Sequence, residues 1–320
     1  MAKKVLITGI SGFAGSHLAE ALIAKNQYDV SGTYLSASSL VNLATVKKKL
    51  RLSQIDLIKK EDIASFVKEV KPDLVFHLAA FPAVGESFGH PEETIMNNIV
   101  AQLNLLEALR KFEFFECRVL VVSSADVYGE VAKKDLPIDE ETRFSPVSAY
   151  AVSKITQDFL GLQYFLSYGM KVIRVRPFNH IGPRQSPGFV VADFAQKIAK
   201  IEKGLSEPFI TVGNLDSRRD FTDVRDIVHG YVLLLEQGKI GDVYNIGSGK
   251  SYKISEILDM LLSFSKEKIT VKKDQSLIRP QDLLERVCDN SRFVELTGWK
   301  AEIPLKQTLK DTLDYWRNIV

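Results

Sequence analysis

The octapeptide Thr8-Gly9-Ile10-Ser11-Gly12-Phe13-Ala14-Gly15 stands between an apolar burst of strand length, Val5–Thr8, and a helical pattern, Gly15–Ala24. Glycines at 9, 12 and 15 permit a tight turn, close approach of backbone to an anion, and close packing of helix on strand. The helix start then offers unpaired N–H groups and the positive end of its dipole, which suits a pyrophosphate. Gly9, Ser11, Gly12, Phe13 and Gly15 are therefore candidates to hold a dinucleotide. A glycine triplet alone also serves as an ordinary turn. Its place between strand and helix at the chain's start favours binding.

The alternation continues. Val30–Tyr34, Leu74–Leu78, Val119–Ser123 and Val172–Arg176 read as strands, with helical patterns at Ile63–Val70, Asn97–Leu109 and Tyr150–Leu166. Continuous apolar strands separated by helices imply a parallel sheet covered on both faces. After Pro177 the pattern loosens: His180–Gly188 reads as a loop, and Phe189–Ile201 as a helix. Val224–Glu236 and Val243–Ile246 supply another helix and strand, returning to the sheet. Leu305, Leu309, Leu313 and Trp316 make one apolar helical stripe. The expected class is α/β, a doubly wound parallel Rossmann sheet with a smaller C-terminal substrate-binding domain. Residues 1–178 with about 221–247 would form the first unit, and about 179–220 with 248–320 the second.

The second strand should end near Leu35-Ser36-Ala37-Ser38-Ser39. A site that requires NAD usually places a carboxylate there, about 20 residues beyond the glycines, to hold the ribose 2′-hydroxyl. Ser36 and its neighbours carry no charge, which favours NADP(H), with NAD(H) as the alternative.

Tyr150-Ala151-Val152-Ser153-Lys154 puts a phenol and an ammonium one helical turn apart on the same face. A neighbouring Lys⁺ is expected to stabilise the phenolate and lower its pKa, making the tyrosine a usable acid or base. An exposed pair is the bland alternative. Ser123-Ser124 weighs against it, because the pair lies at the C-terminal end of a strand, where open α/β sheets bind ligands. Ser124, Tyr150 and Lys154 are the catalytic candidates.

These segments together resemble the extended short-chain dehydrogenase/reductases. The resemblance rests on Thr8–Gly15, His77-Leu78-Ala79-Ala80, Ser123–Gly129, Tyr150–Lys154 and Arg176-Pro177-Phe178-Asn179, and later on Arg218–Asp226, Tyr244–Gly247 and Arg279–Asp282. Phe178–Pro183 and Phe189–Val191 are most similar to the family's GDP-mannose branch, which includes dehydratases and reductases. The resemblance implies that Asp56 and Leu57 meet the adenine edge, and that Leu78, Ala79 and Ala80 line the cofactor. Ser123, Pro177 and His180 would border the nicotinamide half. Asn98 stands between a solvent position and a link to the active site. Ser124 and Asp126 would face the sugar. Asn179, Lys197, Asn214, Arg219 and Arg279 are candidates for the nucleotide diphosphate, since two phosphates need donors and positive charge.

A 4,6-dehydratase needs an acid and a base beside the tyrosine. Similar dehydratases carry Thr-Asp-Glu or Thr-Ser-Glu where this chain has Ser124-Ala125-Asp126. Ala125 cannot transfer a proton, and Asp126 is one methylene short of Glu, so elimination is disfavoured but stays an alternative. An epimerising synthase would need a cysteine in this motif, and neither Cys117 nor Cys288 falls there. Simple reduction remains: the C4 ketone of GDP-4-keto-6-deoxy-mannose would become GDP-D-rhamnose, or its C4 epimer if the sugar's other face is presented. A 4-epimerase stays open on local chemistry, and so does a cofactor-sensing regulator, although such proteins typically lose the tyrosine or lysine retained here.

Charge and composition narrow the partners. Lysines and arginines number 42 against 40 acidic residues, and each basic cluster is short, so no nucleic-acid stripe is expected. Two distant cysteines give no disulfide framework, and no apolar run nears the ~20 residues of a membrane span. A cytoplasmic location is expected. Leu103, Leu106, Phe159 and Leu166, on the helices that pair in dimers of similar proteins, are candidates for a homodimer interface or for the internal core.

Overall fold

The computed structural model describes residues 2–82, 84–277 and 285–320. Among them, β1 (Lys3–Thr8), β2 (Tyr28–Tyr34), β3 (Arg51–Gln54), β4 (Leu74–His77), β5 (Arg118–Val122), β6 (Lys171–Pro177) and β10 (Val243–Ile246) form one parallel sheet. Their order is β10-β6-β5-β4-β1-β2-β3. The chain therefore winds outward from β1 in both directions, and a crevice opens beside its end, where the glycine turn lies.

Alternation along β1 shows how the sheet gains two cores. Val5 and Ile7 face one side, with α1 (Phe13–Ala24) and α6 (Val224–Gln237). Leu6 faces the other, with α2 (Lys60–Val70), α3 (Pro91–Lys111) and α4 (Ala149–Tyr168). All three β1 side chains are fully buried, each worth about 1.5–3 kcal/mol of transfer energy.

A second sheet holds β7 (Asn179–Ile181), β9 (Arg218–Asp223), β11 (Ser251–Lys253) and β13 (Glu285–Arg286), while β8 (Phe209–Val212) pairs with β12 (Thr270–Lys273). Against them pack α5 (Val190–Glu202), α7 (Ile254–Leu262) and α9 (Leu305–Ile319), whose Leu309, Leu313 and Trp316 are buried as the apolar stripe requires. The boundary expected near 221 falls inside β9. Phe293, on α8 (Ser291–Thr297), and Trp299 pack into the first sheet's core although they come late in the chain.

The segment expected as a loop from His180 begins inside β7, paired with β9, and three further elements differ from the sequence expectation. β3 is an edge strand whose Arg-Leu-Ser-Gln lacks an apolar run, because none of its residues is fully buried. α3 starts at Pro91 instead of Asn97: proline at the first turn with Glu92 and Glu93 suits a helix start. β9 is charged in sequence, yet Asp220 is buried, accepting hydrogen bonds from the backbone N–H groups of Ser248 (2.9 Å), Gly249 (2.9 Å) and Cys288 (3.1 Å). Of the apolar interface candidates, Leu106 belongs to the internal core, while Leu103, Phe159 and Leu166 are exposed. No helix among the described residues is long and apolar enough to cross a membrane.

Candidate active site

The glycine turn closes one end of a cleft of roughly 1880 Å³. Gly9 has φ +71°, and a Cβ there would stand 2.9 Å from the Ala79 Cα. A Cβ on Gly15 would lie 2.2 Å from the Gly9 carbonyl oxygen, so only glycine lets α1 sit this close to its strand. Gly12 caps α1 without a side-chain hydrogen bond, and no acidic residue occupies the first turn. The helix start is thus left to an anion, and the cradle fits a dinucleotide pyrophosphate.

The strand ends beside it are tied together. Thr8 Oγ1 and His77 Nδ1 are 2.8 Å apart, and the Ala79 N–H donates to Thr8 Oγ1 at 3.3 Å. Burial, with the nearby Lys154 charge, pushes the His77 imidazole down to about 3, so it is neutral. Ser11, Ser36, Asp56, Leu57, Leu78, Ala79 and Ala80 line this half of the cleft. Ser11 Oγ lies 2.6 Å from Ser39 Oγ, and Ser36 Oγ 2.7 Å from Ser38 Oγ, a hydroxyl cluster at the end of β2. Asp56 also accepts from the Ile58 N–H at 3.2 Å, so it shapes its own turn while it borders the cleft.

Ser148 starts α4 by accepting from the Ala151 N–H at 3.1 Å, which puts Tyr150 and Lys154 in the first turns facing the cleft. Both are buried. Lys154 Nζ donates to the Val122 carbonyl at 3.0 Å, and burial pushes its ammonium down to about 7. The phenol of Tyr150 departs from expectation. Burial, and next the Asp126 carboxylate, raise its pKa above the usual tyrosine range, with the Ser124 hydroxyl opposing. Lysine does not win here because its own charge is destabilised by the same enclosure and is spent on a backbone carbonyl. The tyrosine rests as a neutral proton donor.

Ser123 Oγ donates to the Lys154 carbonyl at 3.0 Å, holding strand against helix. Ser124 Oγ donates to Asp126 Oδ2 at 3.2 Å and accepts the Asp126 N–H at 3.1 Å. Pro177 and His180 close the far wall, the His180 ring stacked 5.7 Å from Phe13. Asn98 is buried: it accepts from the Phe81 N–H at 2.8 Å and donates to Ser153 Oγ at 2.9 Å. Ser153 in turn donates to the Tyr150 carbonyl at 2.7 Å, so Asn98 is a link to the helix that carries Tyr150 and Lys154 and not a solvent residue.

Toward the second sheet the same cleft is lined by Asn179, Lys197, Asn214 and Arg219. Lys197 Nζ lies 5.7 Å from the Phe209 ring centroid, and Asn214 Oδ1 accepts from the Asp216 N–H at 2.9 Å. Arg219 donates to the Arg218 carbonyl at 2.7 Å. Arg279 lies outside the described residues. Sequence reasoning missed Arg286, a buried cation on β13 that forms an ion pair with Asp126 and lines the cleft. Nothing local marks it, since it stands 160 positions from its partner. Buried Tyr231 of α6, likewise missed, also lines the cleft.

The family model described as GDP-mannose 4,6 dehydratase matches residues 6–312. The chain belongs to the GDP-mannose 4,6-dehydratase family. It is an enzyme of the short-chain dehydrogenase/reductase type, as the motifs imply. Within this family it is 37% identical to the GDP-6-deoxy-D-mannose reductase of Pseudomonas aeruginosa, over 100% of this chain and 99% of that protein. It is 32% identical to a GDP-mannose 4,6-dehydratase of Vibrio cholerae, over 97% of this chain and 93% of the relative. Among solved structures, RMD from Pseudomonas aeruginosa complexed with NADPH superposes with a TM-score of 0.86 at 35% identity, covering 100% of both chains. A Bacillus cereus UDP-glucuronic acid 4-epimerase superposes at 0.88 with 28% identity, over 99% of this chain and 100% of that one.

Proposed function

We propose that the chain reduces the C4 ketone of GDP-4-keto-6-deoxy-D-mannose to GDP-D-rhamnose with NADPH, NADH being the alternative donor. The observation that carries this reading is the full-length similarity to a GDP-6-deoxy-D-mannose reductase. Local chemistry supports it against dehydration. Ala125 offers no proton, and Asp126 is engaged by Arg286.

When bound, a reduced nicotinamide would supply the hydride. Tyr150 Oη then donates its proton to the oxygen developing at C4, and the Ser124 hydroxyl hydrogen-bonds that oxygen. Lys154, one turn on in α4, would bind the nicotinamide ribose. The glycine turn would hold the pyrophosphate, with Ser36, Asp56, Leu57 and Leu78–Ala80 along the adenosine and ribose. Asn179, Lys197, Asn214 and Arg219 receive the GDP moiety, as would Arg279. Residues 1–178 with about 221–247 would serve the cofactor, and about 179–220 with 248–320 the sugar nucleotide. Exposed Leu103, Phe159 and Leu166 on α3 and α4 suit a homodimer, and the reaction suits the cytoplasm.

Turnover is expected to consume one reduced cofactor per GDP-4-keto sugar, read as loss of nicotinamide absorbance beside product analysis. Sugar conversion without net cofactor loss would identify an epimerase or dehydratase instead.

Ser36→Asp tests the cofactor side. A carboxylate there would accept from the ribose hydroxyls of NADH and repel the 2′-phosphate of NADPH. With solvent screening at this exposed position, the ratio of kcat/KM values should move about tenfold to hundredfold toward NADH. An unchanged ratio in steady-state kinetics would mean that Ser36 does not face the 2′ position.

A further inference from the structure

We propose that Arg286 sets reaction specificity: by pinning Asp126 as a paired carboxylate beside Ser124, it stops the site from removing a proton next to the ketone. This rests on the C4-ketone reading above. Asp126 lies in the short turn Ala125–Tyr128, and its Oδ2 is 3.2 Å from the Ser124 hydroxyl. If Ser124 holds the ketone oxygen at about 2.8 Å, the two carbons flanking the carbonyl fall in the same neighbourhood as that carboxylate. Their C–H bonds are acidic, as are all those adjacent to a ketone.

An unrestrained carboxylate here would act as a base. The C–H bond breaks, its electron pair forms a carbon–carbon double bond, and the carbonyl π pair moves to oxygen as an enolate. The proton goes to Asp126. Returning a proton from solvent would exchange or invert that carbon, which a reductase gains nothing from. No oxidant or co-reactant is required, so only the state of Asp126 stands in the way.

The structure shows what restrains it. Arg286 Nη1 bonds Asp126 Oδ1, and its side chain is 6% exposed. β13 pairs with β9 in the register Arg286↔Arg219, so a second guanidinium stands beside the first. Arg286, Arg219, Ser124 and the Tyr150 phenol are the charged or titratable groups that act on Asp126. Burial alone would raise the carboxyl's proton affinity, but Arg286 foremost, then Ser124 and Arg219, hold it below the usual range. Arg286 is thus a positioning residue acting through Asp126, delivered to the cleft from a strand of two residues.

The test separates this role from a merely structural one. Enzyme with oxidised cofactor is incubated in D₂O with GDP-4-keto-6-deoxy-mannose, and mass spectrometry follows deuterium entering the sugar above the enzyme-free background. Arg286→Met should raise exchange about tenfold or more over wild type, the scale expected for a base released from its ion pair. Adding Asp126→Asn in the same chain should return it to the wild-type level. Should Arg286→Met fail to fold, Arg286→Gln keeps a donor amide while losing the charge, and the same rise is expected. Exchange no faster than wild type in a folded variant would overturn the proposal, as would a double variant that exchanges as fast as the single one. Reduction is measured separately with NADPH. A wild type that leaves NADPH unoxidised with this sugar defeats the C4-ketone reading itself, whatever the exchange pattern.

Discussion

Tyr150→Phe is expected to lower kcat by about 10²–10⁴-fold, the scale for losing one positioned acid, with cofactor binding little changed. The phenol is 8% exposed, lies in the first turn of α4 and faces the cleft. Burial and the Asp126 carboxylate keep it protonated at neutral pH, which is the state a reduction requires of its donor. Phenylalanine preserves the ring and its packing while removing the only proton this position offers. Lys154 lies one turn further on, with its Nζ bonded to the Val122 carbonyl, and is assigned to the nicotinamide ribose instead. Single-turnover and steady-state rates, beside cofactor titration by fluorescence and circular dichroism, would check it. Near-normal kcat in a folded variant would remove Tyr150 from the mechanism.

Asp158→Ala should destabilise the fold by about 3–5 kcal/mol, the usual cost of removing one partner from a buried ion pair. Asp158 is fully buried on α4, eight residues beyond Tyr150 in the same helix. Its Oδ1 accepts from Arg174 Nη1 at 2.7 Å and its Oδ2 from Arg176 Nε at 2.8 Å. Arg176 also donates to Tyr128 Oη at 3.0 Å and to the Glu140 carbonyl at 2.9 Å. Tyr128 continues to Asn245 Oδ1 at 2.8 Å. One carboxylate therefore ties α4 to β6 and, through Arg176, to the turn that carries Asp126. Alanine would leave two guanidiniums buried without it. Urea unfolding monitored by tryptophan fluorescence would measure the loss. A change under about 1 kcal/mol would mean that water reaches and solvates this cluster.

The parts of the site that were legible in sequence are those whose chemistry is local. The glycine turn is one, because spacing of 9, 12 and 15 and the strand and helix around it lie within one short segment, and backbone conformation is a local property. Tyr150 and Lys154 are another, since 3.6 residues per turn puts them on one face wherever the helix goes. The sheet class followed in the same way, from apolar runs too continuous for a half-exposed strand. Boundaries were less legible: β3 is a polar edge strand with no fully buried residue, and β9 buries Asp220, whose cost is met by backbone donors far along the chain.

What only the tertiary structure decided is charge and its consequences. Tyr150 was expected to have a lowered pKa, and the closed surroundings reverse this, because desolvation depends on every element packed around the phenol and not on one lysine. Asp126 reads as a shortened glutamate in sequence, yet Arg286, 160 positions away, determines how it behaves. Asn98 has no determined setting in sequence; α3 packing on α4 buries it against Ser153. A one-dimensional pattern specifies which groups a chain possesses and how neighbours within a turn are arranged. Proton affinity is set by solvent exclusion and by charges a few ångströms off, and folding brings those together from anywhere in the sequence.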